Sequence, residues 1–169
     1  MKTLSPRSIF FLIFLCCLGL LSFGLYLQHV KHLEPCPLCV LQRYSFVGIG
    51  LVALIGGLHG PKKKLGVNVY ATGMLIFTIM GLVVAGRHVW LEHLPKDEVP
   101  SCGPGLDFIL ESFPLSNALP MIFKGSGECA DVQWRFLTLS ISEWALVWFL
   151  IFLVTSFYLY FHKGKKVTS

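Results

Sequence analysis

Four stretches of the chain run without a charged side chain: Ser8 to Gln28, Tyr44 to Gly60, Leu65 to Gly86 and Trp144 to Phe161. At a rise of 1.5 Å per residue, apolar runs of this order cover the roughly 30 Å hydrocarbon core of a bilayer, the 17-residue second run only just. The pattern predicts an all-α membrane protein: one domain over residues 1–169, a four-transmembrane-helix bundle with intervening loops at about 29–43 and 87–143. Lys2 and Arg7 precede the first run as in a signal peptide, but the run is long for one and no small-x-small cleavage site follows. It reads as a retained span. Glycines inside the second and third runs suit membrane helices, where small residues let backbones approach.

Composition agrees. Of 169 residues, 54% are hydrophobic and 14% charged, with a mean hydropathy of +0.69, well short of the quarter charged usual in soluble domains. The net charge of +5 is gathered beside the apolar runs rather than spread over a soluble face, so it speaks to topology and not to nucleic acid. The three basic clusters are Lys2/Arg7, Lys62 to Lys64, and Lys163/Lys165/Lys166. Four spans put all three on one side, and basic short loops mark that side as cytoplasmic. Both termini are then cytoplasmic. Pro95 to Ser142 carries six acids against three bases, so the long outer loop does not compete. Within it, Ser112 to Phe123 is uncharged but broken by Pro114 and Pro120. That segment is expected to lie along the outer membrane surface or to pack on itself as a loop core.

Four of the six cysteines fall on the outer side: Cys36 and Cys39 in the short loop, Cys102 and Cys129 in the long one. Disulfides persist outside the cytoplasm, so two pairs are expected, Cys36 with Cys39 and Cys102 with Cys129. Four cysteines allow three connectivities, and the sequence does not choose among them. A Cys102 to Cys129 bridge closes a 28-residue loop, worth about 3 to 4 kcal/mol in the chain-entropy account. A Cys-x-x-Cys bridge closes so small a loop that its value lies in being made and broken. Cys16 and Cys17 sit among Phe, Leu and Ile in the first span and read as inert packing residues.

Pro35 and Pro37 flank Cys36, and proline favours the first turn of a helix, so the second helix is expected to start at Cys36 or Pro37. Cys39 then lies in the first turn, where the helix dipole favours an anion. Arg43 follows four residues on, stacked on the same face, and a fixed cation there favours the nucleophilic thiolate further. An arginine at a membrane boundary also has an anchoring role, snorkelling to the headgroups. Arg87, His88, Glu92 and His93 gather at the outer end of the third span, suited to orienting a polar ligand group, shuttling protons or anchoring at the interface.

The run Pro35-Cys36-Pro37-Leu38-Cys39-Val40-Leu41-Gln42-Arg43 resembles the DsbB family of bacterial inner-membrane disulfide-bond formation proteins. So do Pro100-Ser101-Cys102-Gly103-Pro104 and the segment Gly125 to Ala130 around Cys129, followed by Trp134. The resemblance covers almost the whole chain. It implies an enzyme, a protein-dithiol:quinone oxidoreductase, whose partner is a DsbA-like periplasmic thiol oxidase and whose cofactor is ubiquinone or menaquinone in the membrane. By that resemblance, the partner's thiolate attacks Cys102 in a Cys102 to Cys129 disulfide, and the released Cys129 attacks Cys36. Cys39 is left as the thiolate facing the quinone, with Arg43 near the ring and the family's histidine matching His88 or His93. Two positions depart from the family pattern: Ser142 stands where proline is expected, and Thr138 where glycine is common.

Two other functions use the same residues. A metal-binding or transport protein could hold an ion by its thiols, but a single Cys-x-x-Cys with 62 residues before Cys102 is weak zinc spacing, so no metal is expected. Vitamin K epoxide reductase proteins share quinone-dependent thiol chemistry, but carry their Cys-x-x-Cys on a late helix, an order this chain does not have.

Overall fold

The computed structural model describes residues 5–33, 35–95, 114, 117, 120, 123, 127–130 and 134–161. Cys102, most of the 112–123 segment, Lys2 and the lysines after Phe161 lie outside the described residues. Among those described, four helices are long and apolar enough to cross a membrane: α1 (Pro6–Val30), α2 (Pro37–His59), α3 (Lys64–Glu92) and α5 (Ile141–Phe161). A short helix α4 (Gly127–Ala130) and a two-stranded hairpin, β1 (Arg135–Phe136) and β2 (Leu139–Ser140), precede α5. The protein is a multi-pass, all-α membrane protein.

Every spanning helix outruns its apolar stretch, because polar residues that find partners can extend a helix as well as apolar ones. Ser5 caps α1, accepting from the Ser8 N–H at 3.3 Å, and Pro6 follows in the first turn. Cys36 holds the equivalent place on α2. Gly60, at φ +56°, closes α2 in the left-handed conformation. α3 continues past Gly86 to Glu92 and so carries Arg87, His88 and Glu92 on helix. α5 starts before Trp144 because Ser140 and Glu143 form a capping box. The Glu143 N–H donates to Ser140 Oγ at 3.2 Å, and the Ser140 N–H donates to Glu143 Oε2 at 2.7 Å.

The helices pack in sequence, α1 on α2, α2 on α3 and α3 on α5. Their other faces present Leu, Ile, Val and Phe outward, as a lipid solvent requires. The shared core holds Phe10, Ile49, Met74, Phe149 and Phe152, with Cys17 buried in it and Cys16 packed at its edge. At Gly50, α2 comes so close to α1 that an added Cβ would lie 3.2 Å from Cys17 Cβ. Arg7 Nε donates to the Gly57 carbonyl at 3.1 Å, so Arg7 and the 62–64 lysines occupy one end of the bundle, with the Cys36 and Cys39 pair at the other.

The hairpin turns in two residues, Leu137 and Thr138, both at positive φ (51° and 72°). This is the geometry of a primed turn, in which asparagine and glycine are at ease and a β-branched residue is not. Thr138→Gly is expected to stabilise the protein by about 1 kcal/mol, read as a higher unfolding midpoint in detergent. An unchanged or lower midpoint would contradict the strain at this turn.

Candidate functional site

The site is built on the mouth of α2. Cys36 is the N-cap, and its Sγ accepts the Cys39 N–H at 3.4 Å, in the role a serine or aspartate oxygen usually fills. One turn on, Cys39 presents its sulfur to the same face. The Cys36 thiol donates to Cys39 Sγ at 3.1 Å, so the two sulfurs form a vicinal dithiol within reach of disulfide formation by side-chain motion alone. Cys36 is buried and Cys39 half-buried.

His88, from α3, closes on Cys36. Its Nε2 lies 3.7 Å from Cys36 Sγ, and its Nδ1 is 3.1 Å from Gln42 Nε2. With the Gln42 amide donating, Nδ1 is the acceptor and Nε2 carries the ring proton, aimed at sulfur. Glu92 follows one turn later, Oε1 at 3.6 Å from His88 Nε2, while its Oε2 accepts from Ser140 Oγ at 2.7 Å. The side chains of His88 and Glu92 are only 6% and 7% exposed. Buried polar groups of this kind are kept where partners satisfy them and chemistry uses them.

Arg43 is half-buried and turned toward α1. One terminal nitrogen donates to Gln28 Oε1 at 2.5 Å, and the other to the Gly24 carbonyl at 3.1 Å. The sequence spacing places Arg43 one turn below Cys39. The fold adds an anchorage of the guanidinium to α1, which fixes the cation in place.

These side chains line one cavity of about 130 Å³, bounded by Cys36, Cys39, Gln42, Arg43, His88 and Glu92, with Trp134, Ser140 and Ser142 also on its wall. It adjoins a larger apolar groove of about 420 Å³ between α1 and α5, which shares Leu20, Leu27, Phe46 and Trp134 with it. Trp144 and Trp148 complete the groove. Phe23 on α1 and Trp134 stand 5.7 Å apart ring to ring, and Trp134 stacks on Phe136 of the hairpin.

Cys129, on α4, is fully buried in one apolar cluster with Cys36, Leu38, Val84 and Leu91. The fold therefore brings together Cys36, Cys39, Arg43, His88 and Cys129 from the sequence-derived candidates. His93 stands apart: its side chain is 66% exposed, its Nδ1 bonds the Val89 carbonyl at 2.9 Å, and its Nε2 lies 3.8 Å from Glu143 Oε1. Ser140 was not singled out by pattern, Gln42 entered only within the motif run, and Ser142 only as a departure from the family pattern. Ser140-Ile141-Ser142-Glu143 does carry a capping-box signature just ahead of an apolar run, and His88 to Glu92 is an i, i+4 pair. Among the described residues, the ligand atoms of Cys36, Cys39 and His88 lie within 4.8 Å of one another, a set that could hold a soft ion such as zinc.

Four spanning helices with a close thiol pair at the mouth of one of them define a multi-pass membrane thiol-disulfide oxidoreductase. Residues 6–159 match the family described as Disulfide bond formation protein DsbB. The chain is 51% identical over 153 residues to Disulfide bond formation protein B of Nitrosococcus oceani, covering 90% of each protein. It is 53% identical over 149 residues to the protein of that name in Hahella chejuensis, covering 88% of this chain and 90% of that one. With the one from Acinetobacter baumannii it shares 44% over 169 residues, covering 96% of this chain and 99% of that one. The chain belongs to the DsbB family of disulfide bond formation proteins.

Proposed function

We propose that this protein is a protein-dithiol:quinone oxidoreductase of the bacterial inner membrane. It reoxidises a DsbA-like periplasmic thiol oxidase and passes the electrons to ubiquinone or menaquinone, so that disulfide bonds form in exported proteins. One observation carries this reading: Cys36 and Cys39 form a wall of a cavity that gathers Gln42, Arg43, His88 and Glu92 among apolar side chains and adjoins an apolar, tryptophan-lined groove between two spanning helices. A polar head with an isoprenoid tail is a ligand of that shape and chemistry.

In this reading the partner's thiolate attacks Cys102, forming an intermolecular disulfide and releasing Cys129 from the Cys102 to Cys129 bond. Cys129 then attacks Cys36, the Cys36 to Cys39 bond breaks, and Cys39 leaves as the thiolate. Burial of Cys129 beside Cys36 supports that exchange. Arg43 and His88 would hold the polar head, with Arg43 kept in place by Gln28 and Gly24. His93, outside the cavity, has no contact role in this arrangement. A bound quinone supplies the final acceptor for two electrons. DsbA is a strong oxidant near −120 mV, and each 30 mV of a two-electron couple is about 1.4 kcal/mol, so relaxed structural disulfides below about −300 mV could not reoxidise it. The basic end, with Arg7 and Lys62 to Lys64, faces the cytoplasm in this reading, as do both termini.

Trapping tests the partner. A Cys129→Ser variant in cells is expected to accumulate a complex disulfide-linked through Cys102 to a periplasmic thiol protein, identified by mass spectrometry. Capture of no such protein would count decisively against the proposal. A second reading, a metal-binding protein, is favoured by the Cys36, Cys39 and His88 grouping. It requires stoichiometric zinc bound only by the reduced protein, together with no quinone-dependent turnover.

A further inference from the structure

Thiol-disulfide exchange moves electrons from sulfur to sulfur as thiolates attack and leave, and protons do not travel with them. Reduction of a quinone consumes two electrons and two protons, whereas the partner's dithiol sheds its two protons at the protein surface. Electrons therefore reach the cavity through cysteines, and protons need an inlet of their own. Resting on the quinone reading above, we propose that Glu92 is that inlet, supplied by the hydroxyls of Ser142 and Ser140 and re-protonating His88 Nε2 each time that nitrogen has given up its own proton toward the quinone.

The contacts run from the dithiol to Ser142 Oγ, with one gap between His88 and Glu92. His88 Nε2 lies 3.7 Å from Cys36 Sγ and 3.6 Å from Glu92 Oε1, the second a gap that a side-chain rotation or one water closes. Ser140 Oγ donates to Glu92 Oε2 at 2.7 Å and stands 2.7 Å from Ser142 Oγ. Since Ser140 gives its proton to the carboxylate, Ser142 gives its own to Ser140, so the two hydroxyls align as a relay pointing at Glu92. Both serines are buried. At the outer end, the Ser140 N–H donates to Glu143, whose carboxylate reaches the exposed His93.

The titratable and charged groups around Glu92 come from every neighbouring element: Cys36, Cys39 and Arg43 on α2, His88 on α3 and His93 at its C-cap, Cys129 on α4 and Glu143 on α5. A carboxylate is a costly group to bury. One that only tied α3 to the hairpin would do so equally well as an amide, and that difference separates a proton carrier from a strut.

Full-length protein in lipid nanodiscs supports two measurements. In quinone-free protein, infrared titration is expected to show a carboxyl C=O band, absent from Glu92→Gln, that titrates with pH and shifts in D2O. The exchange should slow in Ser140→Ala and recover in Ser140→Thr, which keeps both hydroxyl and cap. With a DsbA-like substrate and quinone, Glu92→Gln is expected to lower kcat by about 10²-fold or more with KM for the protein substrate unchanged, the usual size of a lost proton transfer. A band that neither titrates nor exchanges, or a Glu92→Gln kcat within twofold of wild type, overturns the proposal. Absence of quinone-dependent turnover in the wild type defeats the quinone reading instead, and the infrared titration then decides Glu92 by itself.

Discussion

Cys39→Ser is expected to reduce quinone-dependent oxidation of a DsbA-like substrate by on the order of 10³-fold or more, the scale seen when a nucleophile is removed. Serine fits the space of the thiol and keeps a hydrogen bond with Cys36, whose sulfur lies 3.1 Å away, so the fold is expected to survive. What serine lacks is the capacity to form the disulfide with Cys36 or to leave it as a stable anion. The loss should therefore appear in turnover and not in the unfolding midpoint. It should also leave a trace, because Cys36 in this variant has no disulfide for Cys129 to attack and stays a thiol. That free Cys36 thiol is readable by alkylation and peptide mapping. Turnover near the wild-type rate in Cys39→Ser would sink the proposed electron path.

The second large effect concerns the frame. Gly81 on α3 faces the ring of Phe149 on α5, and a Cβ there would overlap the ring atoms. Phe149 cannot retreat: it is fully buried and stacked on Phe46 at 4.3 Å, and Phe46 in turn meets Phe152 edge-on. Gly81→Ala is expected to cost about 1 to 3 kcal/mol as an overpacked interface, and Gly81→Val more. Gly86→Ala, on the same helix with nothing within 4 Å of the added carbon, is the matched control and should gain or lose little. Because Phe46 also lines the cavity and the groove, Gly81→Ala should weaken quinone-dependent turnover as well. Equal unfolding midpoints for the two alanine variants would refute the interface.

Much of the frame could be read from the residues in order. Uncharged runs bounded by lysines identify spans because a bilayer admits few other structures. The mouth of α2 was equally legible: prolines around Cys36 select a helix start, and helix geometry alone puts Cys39 and Arg43 one turn apart. The ends of α3 and α5 were not. Hydropathy stops at Gly86 and starts at Trp144, while the helices run on through His88 and Glu92 and begin at Ile141.

What the sequence determined by itself is therefore local: four spans, the helical spacing of a dithiol, and a polar cluster after the third apolar run. Tertiary structure decided which of those polar groups face one another. His88 reaches Gln42 and Cys36 across 46 and 52 positions, and Glu92 reaches Ser140 across 48. Packing also chose His88 for the cavity and left His93 outside, five residues along the same chain and on a different side of the helix end. It set Cys129 beside Cys36 through the seat of a four-residue helix that no periodicity marks. The physical reason is one of range. Backbone geometry repeats every turn and writes its pattern into neighbouring residues, whereas the meeting of side chains from separate helices depends on close fits such as Gly81 against Phe149. Such fits exist only once the bundle has formed.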